Sequence, residues 1–267
     1  NQSISGAFAA ASSLAIYEAS QQHQGLSVVI TPDSRSADQL IVELGFFDAG
    51  KRSDKTPLLA FPDWETLPYD SFSPHQDIVS QRLLTLYQLP QLTKGLLVIP
   101  ITTLMQRTPP AEFVLGNSLL LEPGQIFDIQ TTRERLVHAG YHAVDTVYEH
   151  GEFAVRGSIM DIFPMGSNTP YRIDLFDDEI EQLRTFDPES QRTLEKVEEI
   201  RILPAREFPM NDESIALFRQ NWRARFESDP KSSYIYQEVS AGITPAGVEY
   251  YLPLFFNNSA TLFNYLQ

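Results

Sequence analysis

Short runs of almost uninterrupted apolar residues, each followed by a stretch with helical spacing, constrain this chain more than any other feature. The first is a strand over residues 27–31, in the run LSVVIT. The second is LLAF at 58–61, and the third is LLVIP at 96–100. A strand with no polar alternation is buried on both faces, which an antiparallel sheet with one wet face does not allow. Between them lie helical patterns. Residues 9–20 (AAASSLAIYEAS) are rich in Ala and Leu, and Ala37, Leu40, Ile41 and Leu44 recur at helical intervals within residues 34–47. A Pro-rich loop, PDWETLPYDSFSP, precedes a further apolar helix that ends near Leu89 and Pro90. There, Ser73 to Gln76 reads as a capping box with Pro at the first helical position. Residues 1–117 are thus expected to form a parallel sheet covered by helices.

The texture changes near Asn117. SLLLEPGQ reads as strand and turn, and Thr131 to Glu134 as a second capping box whose helix Gly140 ends. Strands then follow one another: HAVDTVY, EFAVRGSIMDIF, PYRIDLF, EIEQLRTF and KVEEIRILP, separated by Pro, Gly, Asp and Ser turns. Residues 118–204 are therefore expected to be an α+β insert with an antiparallel sheet. Charge marks the same boundaries. The chain carries net −15, of which residues 118–204 hold 8 basic and 17 acidic groups. Residues 205–267 return to helix, with Asn211 or Asp212 capping one helix through Phe226 and a shorter one before Gly242. The first and last thirds are read as one α/β domain. A chain of 30.2 kDa folds to roughly 11,700 Å² of surface against about 44,000 Å² unfolded, enough for a sizeable core.

Composition excludes several chemistries. With Cys 0, disulfides, thiolate zinc sites and cysteine nucleophiles are absent. No run approaches the ~20 apolar residues of a membrane span, so a cytoplasmic monomer without membrane contact is expected. Duplex DNA should be repelled by the chain as a whole. His138 and His142 flank Gly140 and make a poor zinc pair. The acids Asp174, Asp177, Asp178, Glu179 and Glu181 alternate around a turn and read as solvated. Trp64, Tyr69 and Phe72 have no Lys/Arg cluster beside them and read as pins holding the long loop on the sheet. Gly6 to Ser13 has the spacing of a phosphate loop, G-x-x-x-x-G-K-[ST]. Gly6 and Ser13 match, but Ala11 replaces the second glycine and Ser12 the lysine that would meet the β/γ-phosphates.

Long motifs carry a resemblance. DWETLPYDSFSPHQDIVSQRLLTLYQLP, IPITTLMQR, EHGEFAVRGSIMDIFPMGS, PYRIDLFDDEIEQLRTFDPESQRTL and AGVEYYLPLFF closely resemble the bacterial transcription-repair coupling factors. The same segment is similar to the first domains of the excision-repair protein UvrB. The resemblance implies a degenerate helicase-like α/β domain, with Gly6, Ala11, Ser12 and Ser13 the remnant of its phosphate loop, interrupted by a UvrB-like insert. It implies no enzyme and no cofactor in this segment. An ATP- and Mg-dependent DNA translocase motor would lie beyond residue 267, and contacts to RNA polymerase and duplex DNA in other domains. UvrB carries a long aromatic hairpin in the region matching 68–82, for which this chain is too short.

The resemblance also bears on the acidic insert. Alternation in PYRIDLF puts Tyr171, Ile173 and Leu175 on one face and Arg172, Asp174 and Phe176 on the other, with Arg156 in a neighbouring strand. From the pattern alone, the arginines neutralise nearby acids as readily as they serve an interface. In the family this module binds UvrA, and Arg156, Arg172 and Phe176 match the contacting positions, on a surface that a C-terminal domain masks. The expected function is recruitment of UvrA to stalled RNA polymerase, with Arg172→Ala or Phe176→Ala weakening binding and leaving the module folded. The alternative is a nucleotide- or DNA-binding helicase domain.

Overall fold

The computed structural model describes residues 10–49, 56–68, 70–227 and 229–266. In chain order the first part holds α1 (Ala10–Gln22), β1 (Leu26–Thr31), α2 (Ser34–Ala49), β2 (Leu58–Ala60), α3 (Gln76–Gln88), β3 (Gly95–Pro100), α4 (Ile101–Leu104) and α5 (Ala111–Gly116). The strands form a parallel sheet in the order β1-β3-β2. Every residue of the central β3 is buried. Its side chains alternate between two layers: Leu96 and Val98 pack with Leu40 and Leu44 of α2 and Tyr17 of α1, while Leu97 and Ile99 pack with Val79, Leu83 and Leu86 of α3. The unbroken apolar run at 96–100 is thus explained by helices on both faces, whereas β1, expected to be equally buried, is an edge strand that leaves Val28 and Ile30 exposed.

The middle part holds β4 (Leu119–Leu121), α6 (Ile129–His138), β5 (His142–Ala143), β6 (Glu152–Arg156), β7 (Ile159–Ile162), β8 (Tyr171–Phe176), β9 (Glu179–Phe186), β10 (Thr193–Val197) and β11 (Ile200–Ile202). One sheet runs β10-β9-β8-β7-β6-β5, antiparallel except where β5 meets β6. The other is a ribbon in which β4 and β11 pair antiparallel, Leu119 opposite Ile202. The fold is therefore mixed α/β, a parallel sheet interrupted by an α+β segment. EFAVRGSIMDIF is not one strand but a hairpin. Gly157, at φ +63, and Ser158 turn β6 into β7, with glycine at the first central position, where a two-residue turn of the II′ kind needs a positive φ. HAVDTVY supplies only the two residues of β5, because the chain then turns at the 144–151 loop.

α3 is the wedge between the two sheets. Its apolar residues share one cluster with Phe153, Met160, Ile162 and Ile173 of the antiparallel sheet. Its start differs from the expected capping box. His75 is the N-cap, its Nδ1 accepting from Asp77 N at 3.3 Å, and Ser73 Oγ instead accepts from Gly247 N at 3.3 Å. Gly247 adopts φ +81, and a Cβ there would stand 2.3 Å from the Asp70 carbonyl oxygen, so no larger residue fits. α6 is likewise capped one turn earlier than expected, by Asp128, which accepts from Gln130 N (2.8 Å) and Thr131 N (3.1 Å).

The last part holds α7 (Asp212–Arg225), with Asn211 and Ser214 forming its capping box, and α8 (Tyr234–Ser240), followed by 3-10 turns at Val248–Phe255 and Leu262–Tyr265. No strand among its described residues joins the parallel sheet. An aromatic cluster of Phe208, Phe218, Trp222, Tyr236 and Phe255 forms its core, and Trp64 reaches into it from the first part. Trp64 is buried as expected of a pin. Phe72 is exposed, contrary to that expectation, and Tyr69 lies outside the described residues.

A buried ion pair ties the first and last parts together. The Arg82 side chain is 0% exposed and Glu207 3%. Arg82 Nη2 donates to Glu207 Oε2 at 3.2 Å, Nε donates to Oε1, and Nη1 donates to Pro62 O at 2.8 Å and Gln106 Oε1 at 3.3 Å. Trp64 Nε1 donates to the same carboxylate at 3.2 Å, and the guanidinium lies 4.2 Å from the Phe61 ring centroid and 4.7 Å from that of Trp64. Removing one partner from such a pair typically costs about 3–5 kcal/mol, because the other is left charged and dry. Arg82→Met should lower the unfolding free energy by about that amount in a urea titration, and the double substitution Arg82→Met/Glu207→Met should recover part of the loss.

Candidate functional site

The antiparallel sheet buries Met160, Ile162, Ile173 and Leu183 against α3 and turns its other face outward. On that face the register lines up Ala154 with Asp161 and Asp161 with Arg172, which in turn lies opposite Arg184. Directly opposed residues share a face, as do residues two apart along a strand. Arg156 and Asp174 therefore lie on the same face, one step along the strands from this row. At one end of this face Val147, Ala154, Phe163 and Phe186 form a small apolar cluster.

Asp161 is the centre of the row. It is 1% exposed and lies between two guanidinium groups. Arg172 donates to it twice, Nε to Oδ1 at 2.7 Å and Nη2 to Oδ2 at 2.9 Å, and Arg156 Nη2 donates to the same Oδ2. Arg172 also donates to Thr193 Oγ1 at 3.1 Å, and its guanidinium lies 5.0 Å from the Phe186 ring centroid. Its hydrogen bonds to Asp161 raise its pKa further above the usual guanidinium range, so it stays charged. A second pair sits beside the first, Arg184 Nη2 with Asp174 Oδ2 at 2.7 Å. Asp174 and Arg184 form one pair, whereas the single Asp161 carboxylate serves both Arg156 and Arg172, and Asp177, Asp178 and Glu179 stand at the nearby tip.

Arg156, Arg172 and Phe176 are brought to one region but present themselves differently. The Arg156 side chain is 51% exposed, that of Arg172 14%, and Phe176 is 72% exposed. The β6–β7 turn and the β8–β9 tip lie at the same end of the sheet, since Leu175 N donates to Ser158 O at 2.9 Å. A register shift in β8–β9 between Asp174 and Leu175 precedes Phe176, which pairs with Glu179 across the tip at Asp177 and Asp178. Asp177 has φ +54, the conformation a tight reversal needs and Asp tolerates. The arrangement offers one half-free guanidinium, one mostly covered guanidinium held by a buried carboxylate, and a bare aromatic ring.

Asp161 went unnoticed in the sequence, although it carried a signal. An acid inside the apolar stretch SIMDIF, at a strand position flanked by buried neighbours, requires a cationic partner across the strand. Elsewhere, Ala11, Ser12 and Ser13 lie in α1, and Gly6 is outside the described residues. Ser13 is buried, and its Oγ donates to Glu43 of α2. Among the described residues no group of three or more His, Asp or Glu side chains is arranged to hold a metal ion, and no helix is long and apolar enough to cross a membrane.

Residues 119–208 match the family profile of the UvrB interaction domain. Over 257 residues, 96% of the chain, it is 50% identical to the transcription-repair-coupling factor of Escherichia coli K12. It is 49% identical over 262 residues to that of Haemophilus influenzae, and 34% identical over 249 residues to that of Myxococcus xanthus. The chain spans 22% of the length of the first two relatives and 21% of the third, covering 96%, 96% and 90% of itself. The chain thus aligns along nearly its whole length with one stretch of the transcription-repair coupling factors, and its residues 119–208 match the UvrB interaction domain.

Proposed function

We propose that the outward face and hairpin tips of the 119–208 domain form a docking site for UvrA, and that the segment acts by recruitment rather than catalysis. The bare ring of Phe176 carries the reading. A phenyl group 72% exposed at a hairpin tip, in a sheet whose other aromatic residues are largely covered, gains area only when a partner covers it. Beside it, Arg156 offers donors for a carboxylate or carbonyl of the partner. Arg172 contributes mainly as an organiser, because it fixes Asp161 and through it the direction of Arg156. In the longer proteins to which the chain is similar, this docking would bring excision repair to a stalled RNA polymerase. The ATP-driven motor, the duplex contacts and a domain that masks the surface would reside in other parts of those proteins.

The roles of the residues separate by measurement. Phe176→Ala should weaken UvrA binding by about 2 kcal/mol, roughly thirtyfold, with an unchanged melting temperature, since its ring packs on little of the domain. Unchanged affinity of this variant in a titration against UvrA would remove the site. Arg172→Ala should weaken binding and also destabilise the domain, because Asp161 loses the partner that donates to it twice. That outcome differs from the intact fold expected from the sequence alone.

We further infer that this segment holds no nucleotide. In addition to Ser12 in place of the phosphate-loop lysine, the Ser13 hydroxyl that would face Mg is directed at Glu43 inside the α1–α2 contact. Titration of the chain with a fluorescent ATP analogue should show no saturable binding in the micromolar range. Saturation there would favour the nucleotide-binding alternative.

A further inference from the structure

A groove follows the seam between the end of α7 and the Val248–Phe255 turn, on the last part of the chain and away from the antiparallel sheet. It consists of two adjoining hollows of about 270 and 460 Å³ that share Arg225, Pro253 and Leu254. The smaller is walled by Pro68, Phe226, Tyr250 and Tyr251. The larger is polar, with Arg107, Asn257, Asn258 and Ser259. The chain has 35 acidic residues against 20 basic, yet among the described residues no Asp or Glu lines either hollow.

The two arginines reach the groove by unrelated routes. Asn221 Nδ2 donates to Leu254 O at 3.0 Å and pins α7 to the turn, which places Arg225 about one helical turn further on at the seam. Thr108 and Ala260 exchange backbone hydrogen bonds of 3.0 and 2.9 Å, which brings Arg107 beside the 257–259 segment. Both arginines are exposed, and among the described residues neither has an ion-pair or hydrogen-bond partner. A cation in the last turn of α7 is favoured by the helix dipole, which accounts for Arg225 but not for Arg107. Two like charges converging without a counter-charge cost energy unless an anion is bound between them.

The aromatic hollow is rigid. Tyr251 stacks on Trp222 with centroids 5.1 Å apart, Phe226 lies 4.5 Å from the same ring, and Tyr250 meets Trp64 edge-on at 5.1 Å. Rings held from behind offer their outer edges at little entropic cost. We propose that this groove docks a short extended peptide segment of a partner protein, in which an aromatic residue and a proline are followed by acidic residues. The apolar pair fills the aromatic hollow, and the carboxylates reach Arg225 and Arg107. The chain's charge of −15 favours a peptide over a nucleic acid. A polyanion is repelled along its whole length, whereas a few carboxylates are confined to the acid-free hollow.

The test uses the whole chain and the fluorescein-labelled peptide GFPEDEDEG, followed by anisotropy at fixed ionic strength. Saturable binding is expected. It should fall roughly tenfold or more with Arg107→Gln/Arg225→Gln, whose melting temperature should stay within a few degrees of the parent's, and similarly for the peptides GAAEDEDEG and GFPKKKKKG. Absence of saturable binding, equal binding by the double variant, or equal or tighter binding of a labelled oligothymidine would overturn the proposal. UvrA binding by the double variant should be unchanged, so this inference and the UvrA reading fail separately.

Discussion

The Arg82–Glu207 pair is the constraint on which the rest of the arrangement depends. A fully buried guanidinium is tolerated only if its charge is neutralised and its donors are satisfied. Here that requirement draws together the loop after β2, the helix α3, the residue Gln106 after α4, and a glutamate that follows the whole antiparallel sheet in the chain. Residues 82 and 207 are distant in sequence, so the contact fixes where the chain must return once the antiparallel sheet is complete. Trp64 shares the carboxylate and carries the aromatic cluster of the last part up to the same point.

The outward face of the antiparallel sheet repeats the same physics with one side left open. Asp161 is as buried as Glu207, but it has two arginines, and one of them is half in solvent. A carboxylate with a surplus cation holds the exposed guanidinium in a set direction without consuming it. The acidic character of the segment thus still leaves one half-exposed guanidinium on this face. Net charge describes long-range repulsion, and the row of opposed residues describes what a partner touches.

Much of the fold was legible because it follows from periodicity. The unbroken apolar runs placed the parallel strands, but only β3 is covered on both sides; β1 lies at the sheet edge with Val28 and Ile30 exposed. The alternation in PYRIDLF placed Ile173 and Leu175 inside and Phe176 outside. The failures have local causes. Gly157 split one long strand into a hairpin: Gly157-Ser158 is itself a two-residue turn signal, passed over because of the apolar residues on either side. His75 and Asp128 displaced the expected caps because several residues in those loops have suitable acceptors, and the final geometry selects among them. Asp161 was missed because a pairwise, cross-strand requirement has no period along the chain. The groove at Arg107 and Arg225 was invisible for the same reason: its arginines are far apart in sequence and meet only through the Thr108–Ala260 bridge.

The β4–β11 ribbon has a consequence of its own. Leu119 and Ile202 face each other, so the polypeptide leaves for the antiparallel sheet and comes back through neighbouring positions about 5 Å apart. The host part of the chain therefore sees the excursion as little more than a tight loop. Its outer hairpins and loops can drift in length and sequence without stretching the scaffold, while the face packed on α3 stays constrained. A recognition surface mounted on such a stalk is free to specialise, while the body that carries it stays the same.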